Sequence, residues 1–290
     1  MNMGSKVIEK AAYNPYFTVI ASLSSIFGLV WIVYEKLNKS DDLLVPIAVF
    51  VISVVFLLII SVYSIKVRAE NQSIRDIGKT YYDVNKMYRN ELKKVFSGEA
   101  IVTNPDDLIK IEEEVLRAVC QRIRNTFNGL IGKNCMVTIK LITMEEEHKY
   151  AQTYVRSLEK CKRDGDEIVE YDIGTGENTS FDQALEIRKD KPSHFFSPNL
   201  TKEKNKYYNQ RQHYERHYRS TIVVPIRCKD SENSVITDDI GFLCIDTKST
   251  NRLNGGYHVY LLSSFAAQMY NFMSLMRGNY LVLVDKKNDK

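Results

Sequence analysis

Two uncharged apolar stretches near the N-terminus constrain this chain more than any other feature of its sequence. They occupy residues 16–34 and 43–65, which are 19 and 23 residues long, and a short polar loop joins them. A helix rises about 1.5 Å per residue and the hydrocarbon core of a bilayer is about 30 Å thick, so each stretch is long enough to cross it. The sequence therefore predicts a transmembrane α-hairpin followed by a body of 225 residues.

The charges that flank these stretches predict their orientation. Lys6 and Lys10 precede the first stretch, and Lys66, Arg68 and Arg75 follow the second. The positive-inside rule therefore predicts both termini in the cytosol, which makes the chain a multi-pass protein of the inner or cytoplasmic membrane. A cleaved signal peptide is the alternative for the first stretch. That stretch is long, however, lacks a clear small-residue cleavage site and is soon followed by another.

Cysteine usage and charge limit the functions open to the rest of the chain. The five cysteines are odd in number and form no C-x-x-C pair, which favours a reducing compartment and argues against a zinc or redox motif. The part from residue 66 onward keeps the net charge of +4, so it is nearly balanced for its length. We therefore expect no nucleic-acid partner.

The segment at 66–98 predicts an amphipathic stalk helix. Its apolar residues recur mostly at steps of three, four and seven, and they are Val67, Ile74, Ile77, Tyr81, Val84, Tyr88 and Val95. Such a stripe can pair with a copy of itself as a coiled coil, so we expect a homodimer or a higher oligomer. The alternative is an amphipathic helix that packs on its own domain or lies on the membrane surface.

The remaining residues, 99–290, predict one α+β domain built around an antiparallel sheet. Asn104 and Pro105 should open a helix that runs to about residue 127, because they supply a cap and a first-turn proline. Runs of β-branched and apolar residues predict strands at 136–143, 154–158, 168–173, 220–228 and 240–246, with helices at 181–188 and 257–276. Residues 190–200 are expected to be irregular around two prolines.

Three stretches near the C-terminus resemble the last two strands and the closing helix of GAF domains. They are STIVVPI at 220–226, IGFLCIDT at 240–247 and LLSSFAAQ at 261–268, while FDQAL at 181–185 resembles the segment that precedes the pocket. The resemblance implies a six-stranded sheet with a ligand pocket on one face, and N- and C-terminal helices that often form a dimer bundle. It does not imply the ligand, because fold does not specify function.

The most unusual part of the domain is the basic, tyrosine-rich stretch at 202–219, just before the strand that borders the pocket in GAF-like domains. Aromatic faces can stack on a base, and guanidinium groups can grip a phosphate with two hydrogen bonds. We therefore expect a nucleotide or another anionic small molecule to bind here. The expected ligand-binding residues are Phe195, Arg211, Tyr214, His217, Tyr218 and Arg219. The alternative is a solvated helix whose charges face water or anionic lipid.

No motif for catalysis, a metal or a cofactor is visible. The sequence lacks a nucleophile elbow, an H-E-x-x-H pair, a phosphate-binding loop and the kinase and cyclase signatures, so we expect that the chain is not an enzyme. His213 and His217 are four residues apart and would share a helix face, but no third metal ligand is identifiable. Neither a cofactor nor a metal is therefore predicted.

Two interpretations of the function follow from these modules. In the first, the cytosolic GAF-like domain is a membrane-anchored sensor that binds a small molecule and relays the signal through a dimeric stalk to a partner or to the membrane. In the second, the hairpin is itself the output: ligand binding assembles hairpins that perturb the membrane, as in nucleotide-activated defence effectors of bacteria. An inert anchor whose domain docks a protein is a third class.

Overall fold

The computed structural model describes residues 27–28, 30–31, 34–35, 44–97, 104–145, 148–157, 170–186, 193–203, 206–211, 213–229 and 236–288. The chain divides into two compact units, Met1–Arg75 and Asp76–Lys290. One helix, α1 (Leu44–Ser97), contributes residues to both units. The strands all lie in the second unit, which is the one that carries the candidate site.

The membrane hairpin predicted from the sequence falls in the first unit. Its first span, 16–34, lies almost entirely outside the described residues. Its second span, 43–65, is helical from Leu44 onward as the first part of α1. No helix in the described part of the chain is long and apolar enough to cross a membrane. The structure therefore does not support the predicted hairpin.

The second unit is built around one six-stranded antiparallel sheet. Its strands are β1 (Cys135–Glu145), β2 (His148–Arg156), β3 (Glu170–Asp172), β4 (Phe195–Ser197), β5 (Ser220–Lys229) and β6 (Ile236–Thr247). They lie in the order β3-β2-β1-β6-β5-β4. The accompanying helices are α2 (Pro105–Ile131), α3 (Thr179–Leu185) and α4 (Tyr257–Asn288). The predicted α+β class and the six-stranded sheet implied by the GAF resemblance are confirmed.

The predicted start of α2 is also confirmed, and its cause is visible. The Asn104 side chain accepts a hydrogen bond from the backbone N–H of Asp107 at 3.1 Å, and the Asp107 carboxylate accepts one from the N–H of Asn104 at 3.2 Å. These bonds satisfy donors that a first helical turn leaves open. The helix ends at Gly132, whose φ of 63° is a left-handed conformation that glycine adopts without strain.

Two strands differ from their predictions. β2 begins at His148 instead of near residue 154, and it pairs with β1 from there to Arg156. β4 occupies part of the stretch that was expected to be irregular, and it pairs with β5 at the edge of the sheet. Three residues are too few to show a period-two pattern, so sequence reasoning could not find this strand.

Alternation along the strands separates two cores, one on each face of the sheet. On β1, Val137 and Ile139 face the helices, whereas Thr138 and Lys140 face the opposite side. The helix-side core unites apolar side chains of α1, α2 and α4 with those of the central strands, and its largest members include Phe127, Phe265, Phe272, Leu116 and Ile139. The opposite core is smaller and is rich in aromatic residues, namely Tyr171, Phe181, Phe195, Tyr207 and Phe242.

Within the second unit, α1 packs on its own domain along the stripe that predicted a coiled coil. Val84 and Tyr88 are buried, and the ring of Tyr88 stacks on Phe272 of α4 at a centroid distance of 4.6 Å. Asp83 accepts a hydrogen bond from Arg122 of α2 at 3.0 Å. For this part of α1 the structure shows the alternative, a helix packed on its own domain. Oligomerisation stays a prediction.

A β-bulge in β2 determines which side chains reach each face. Lys140 of β1 pairs with Thr153, whereas the residue before Lys140 pairs with Val155, so Tyr154 is the extra residue. Tyr154 and Val155 both contact the helix-side core. Thr153 and Arg156, on either side of them, face the opposite side of the sheet.

We expect Gly241→Ala to destabilise the domain by roughly 2–3 kcal/mol, because a methyl group at this position would overlap the backbone carbonyl oxygen of Lys140 on the neighbouring strand. Urea denaturation of the full-length chain measures the loss. Gly278→Ala in α4 is the matched control, since no described atom beyond its chain neighbours and the adjacent helix backbone lies within 4 Å of the added carbon. Alanine favours a helix over glycine by about 1 kcal/mol, so the control should be neutral or stabilised. Equal urea midpoints for both variants would contradict the close approach at Gly241.

Candidate ligand pocket

A small pocket lies on the face of the sheet opposite the helices. It encloses about 60 Å³, which is room for a few water molecules or a small ligand. Its floor is formed by inward-facing side chains of the central strands, including Lys140 on β1, Thr221 on β5 and Asp246 on β6. Its wall comes from the segment that precedes β5, which contributes Arg211 and Tyr218 among others. We call this site the sheet pocket.

Lys140 places a buried amine on the pocket floor. Its side chain is held on β1, where Nζ donates a hydrogen bond to Oγ1 of Thr153 at 2.8 Å and lies 3.9 Å from the centroid of the Tyr171 ring. Burial disfavours the charged form and lowers the pKa of Lys140 to about 8, although Cys244 and Asp246 favour the charge. The amine is therefore partly neutral near physiological pH.

Arg211 contributes the most unusual group of the sheet pocket. Its backbone N–H donates to Oδ1 of Asn209 at 2.8 Å, which fixes the main chain beside the opening. Its Nε and Nη2 atoms are buried and have no hydrogen-bond partner among the described residues. These two N–H groups lie on one edge of the planar guanidinium group and point in the same direction. Such an edge matches two oxygens of one carboxylate or phosphate.

A pair of tyrosines completes the wall beside Arg211. The Asn209 amide donates to the hydroxyl oxygens of Tyr207 and Tyr218, each at 2.8 Å. Burial raises the pKa of both phenols, so they stay protonated and their hydroxyl groups can donate. Phe195 stacks on Tyr207 at a centroid distance of 5.5 Å, and Tyr214 meets the same ring edge-on at 5.0 Å. The wall is thus a packed aromatic cluster with a polar inner edge.

The pocket also contains a carboxylate and a thiol, both from β6. Asp246 accepts a hydrogen bond from Oγ1 of Thr221 at 2.7 Å, which orients it along the floor. Cys244 is a free, buried cysteine, and burial raises the pKa of its thiol. Because the thiolate is the nucleophilic form, this cysteine is a weak nucleophile. Lys140, Arg156 and Arg211 outnumber Asp246, so the lining favours anions.

A larger cavity of about 270 Å³ lies on the helix side, between α2, α4 and the first two strands. Most of its lining is apolar, as at Leu108 and Met276, and its main polar group is Glu112. Burial raises the pKa of Glu112 to about 7, while Arg277 and a hydrogen bond from Tyr154 act in the opposite direction. Since its carboxyl group already has these partners, the cavity makes a weaker case for a charged ligand than the sheet pocket.

The six residues predicted as ligand-binding occupy three kinds of position. Arg211 and Tyr218 line the sheet pocket. Phe195 and Tyr214 do not line it but pack behind its wall through their contacts with Tyr207. The other two lie outside the pocket: His217 follows a short 3-10 helix, and Arg219 has an exposed side chain.

The stretch at 202–219 is not the solvated helix that served as the alternative. It begins at the end of one 3-10 turn, Leu200–Lys202, contains a second, Tyr214–Arg216, and has otherwise irregular backbone in its described residues. His213 adopts a left-handed φ of 52°, so it does not share a helix face with His217. Within the described residues, no three potential ligands are grouped closely enough to hold a metal ion.

Sequence reasoning missed Lys140, Arg156, Asn209 and Asp246. A signal existed for two of them, since Lys140 and Asp246 are charged residues inside strands that were clearly predicted. A charge at the middle of an apolar strand faces either water or a polar cavity. Arg156 could not be assigned to a face, because the bulge at Tyr154 changes the phase of β2.

Comparisons with solved structures found similar folds at low sequence identity. A type II free methionine-R-sulfoxide reductase from Thermoplasma acidophilum is 19% identical, with a TM-score of 0.38, and the match covers 57% of this chain and 94% of that one. The corresponding enzyme of Staphylococcus aureus, in complex with substrate, is 17% identical over 58% and 97%, with a TM-score of 0.32. The GAF domain of an Acinetobacter phosphoenolpyruvate-protein phosphotransferase is 11% identical over 67% and 93%, with a TM-score of 0.37. No protein-family model and no curated protein match the chain.

One prediction is corrected by these comparisons. The absence of catalytic motifs led to the expectation that the chain is not an enzyme, and that expectation was wrong. Two of the similar structures are reductases. The catalytic motifs that the sequence lacks belong to other folds. Their absence therefore carries no information about chemistry inside a pocket such as this one.

The lowered pKa of Lys140 predicts a specific pH dependence of stability. The folded chain begins to lose this proton near pH 8, whereas an unfolded chain keeps it up to about the ordinary value of 10.5. Between these values the unfolded state binds more protons, so stability should rise with pH. We expect the stability of the wild type relative to Lys140→Met to increase by about 2 kcal/mol from pH 7.5 to pH 9.5 in urea titrations.

The exposed residue Lys133 supplies the control for this measurement. Lys133→Met removes a lysine without removing a buried amine, so its stability relative to the wild type should not change over the same interval. A relative stability of Lys140→Met that is also constant with pH would show that Lys140 is not desolvated.

Proposed function

We propose that the unit from Asp76 onward is a sensor whose sheet pocket binds a small anionic molecule. The observation that carries this proposal is the edge of Arg211, where two buried guanidinium donors have no partner among the described residues. An unsatisfied buried donor costs about 1–3 kcal/mol, and a charged one costs more. An anion that accepts both hydrogen bonds removes this cost and is held in a defined orientation.

Charge and volume narrow the ligand class. Three cationic side chains and one carboxylate line the pocket, which favours a ligand with net negative charge. The enclosed volume of about 60 Å³ is well below the roughly 300–1,000 Å³ that holds a drug-sized ligand. The proposed ligand is therefore a small carboxylate or phosphate. Of the nucleotide that the sequence predicted, one anionic group would fit in this volume.

The position of the pocket supports a relay to the helices. The strands that form its floor also form one side of the helix-side core, so a shift of β1 or β6 alters the packing of α2 and α4. α1 is attached to both helices through the contact of Tyr88 with Phe272 and a 2.7 Å hydrogen bond between Thr80 and Thr126. A ligand drives such a relay only if it binds one arrangement of these elements more tightly than another. The proposed receiver of the signal is a partner protein, a second copy in a dimer, or the membrane.

Membrane attachment is the second part of the proposal, and it rests mainly on the sequence. The stretches 16–34 and 43–65 contain no charged residue. Within the described residues, large apolar side chains are at least half exposed at Val51, Ile52, Val55, Leu58, Ile59, Val62, Tyr63 and Ile65. Apolar surface of this extent is normally covered, and lipid covers it without a further partner. The flanking positive charges favour cytosolic termini at an inner or cytoplasmic membrane.

Replacing Arg211 tests the ligand proposal. Arg211→Gln removes the charge and the two-donor edge, and hydrogen bonds to charged groups contribute about 1.5–3 kcal/mol. We therefore expect the affinity of the full-length chain for acetate, pyruvate or inorganic phosphate, measured by calorimetry, to fall about 10- to 100-fold. The probe that binds the wild type most tightly is the one to use.

Arg219→Gln is the matched control, because Arg219 lies in the same segment with an exposed side chain. It should change the affinity less than twofold. Equal losses of affinity in both variants would show that the effect is one of net positive charge and not of the two-donor edge. If the wild type binds none of the three probes, the proposal is overturned.

Charged substitutions test membrane attachment. We expect the full-length chain to stay in the membrane fraction after alkaline carbonate extraction, and Val55→Lys with Leu58→Lys to release part of it, since a central lysine costs about 2.5–3.5 kcal/mol. Ile74→Lys, outside the apolar stretch, is the control. A wild-type chain found wholly in the soluble fraction would contradict attachment. Loss of membrane potential on expression would instead support the alternative in which the hairpin is the output.

A further inference from the structure

The sheet pocket brings together two groups that anion binding alone does not require. Lys140 supplies a primary amine from the floor, with only 8% of the residue exposed. Arg211 supplies the unpartnered two-donor edge from the wall of the same 60 Å³ cavity. Among the described residues, the one hydrogen-bond partner of the Lys140 amine is the hydroxyl of Thr153, at 2.8 Å. An amine held in this way can react with a carbonyl group of a bound ligand.

We propose that the ligand is a small 2-oxo acid, and that Lys140 forms a reversible Schiff base with its carbonyl carbon while Arg211 holds its carboxylate. This inference rests on the proposed function, because it uses the same pocket and the same anion-binding edge. A 2-oxo acid places its carbonyl carbon next to the carboxylate carbon. One molecule of a few heavy atoms can therefore engage both groups at once.

The proposed step balances without an oxidant or a reductant. The lone pair of the neutral Lys140 nitrogen attacks the carbonyl carbon, and the π electrons of the C=O bond move to oxygen, which takes up the proton that the nitrogen then loses. The resulting carbinolamine loses its hydroxyl group and the remaining N–H proton as one water molecule, and the C=N bond forms. Addition of water reverses the step and releases the 2-oxo acid, which suits a sensor that must respond when the ligand concentration falls.

The charges around Lys140 favour the neutral amine that this step needs. Arg156 from β2 and Arg211 from the wall oppose its protonation, while Cys244 and Asp246 from β6 favour it, and burial is the largest effect. With a pKa of about 8, roughly one fifth of the Lys140 amine is neutral at pH 7.4, compared with about one in a thousand for an ordinary lysine. Nucleophilic lysines in proteins are activated by this combination of desolvation and neighbouring cations.

Borohydride trapping of the wild-type, full-length chain tests the inference directly. The chain is incubated with pyruvate, reduced with sodium borohydride and digested, and the modified peptides are measured by mass spectrometry. We expect N-(1-carboxyethyl)lysine to accumulate at residue 140 at least tenfold above the exposed Lys133. Arg211→Gln should lower the label at Lys140 about tenfold, since the carboxylate is no longer held.

Lactate separates this inference from the proposed function, because it carries the carboxylate but lacks a carbonyl group. Binding of pyruvate and lactate with equal affinity, with no label at Lys140, would overturn the Schiff base and leave the anion-binding function standing. If neither pyruvate nor lactate binds while acetate or inorganic phosphate does, this inference alone is overturned; if none of these probes binds, the proposed function is overturned as well. Lys140→Arg keeps the positive charge and should abolish the label at this position, whereas Lys133→Arg should leave it unchanged. Label spread evenly over exposed lysines would also contradict the inference.

Discussion

The antiparallel pairing of β1 with β6 is the contact on which both faces of the sheet depend. The two strands are in register from Cys135 opposite Thr247 to Leu141 opposite Gly241, and at that last pair the backbones lie so close that a side chain on β6 has no room. Side chains alternate between faces with a period of two, so this register decides what each face presents. A shift by one residue would move apolar side chains into the sheet pocket and turn Lys140 toward the helices.

Buried polar atoms in proteins are usually paired, and most polar groups of the sheet pocket follow this rule. Lys140 is satisfied by the Thr153 hydroxyl and the Tyr171 ring, and Asp246 by Thr221. Arg211 is the exception, since the edge of its guanidinium group finds no acceptor in the described part of the chain. Natural proteins retain such local conflicts mainly where function requires them.

The sequence predicted the architecture well where the signal is local. The capping residues Asn104 and Asp107 identified the start of α2, and the apolar runs identified β1, β5 and β6. β4 was missed because three edge residues show no period. The stripe on α1 identified a buried face but could not say what covers it, since packing on another copy and packing on α2 and α4 require the same spacing.

The candidate site was harder to predict than the fold, and the reason is physical. The stretch at 202–219 was singled out by its arginines and tyrosines, and four of its members line the sheet pocket, namely Tyr207, Asn209, Arg211 and Tyr218. Most of the lining comes from elements that lie elsewhere in the sequence, such as β1 with Lys140 and β6 with Asp246. Sequence patterns report which face of a strand is apolar, but they do not report what lies above the polar face.

The single extra residue in β2 determines which deletions in this strand the pocket can tolerate. Before Tyr154 the odd-numbered residues of β2 face the pocket, as Thr153 does. After it the even-numbered residues face the pocket, as Arg156 does. Deletion of Tyr154 would restore plain alternation, with Thr153 and Arg156 still facing the pocket and Val155 facing the helices between them. A descendant that loses Tyr154 alone therefore keeps its pocket lining, whereas one that loses both Tyr154 and Val155 exchanges inside for outside at Arg156.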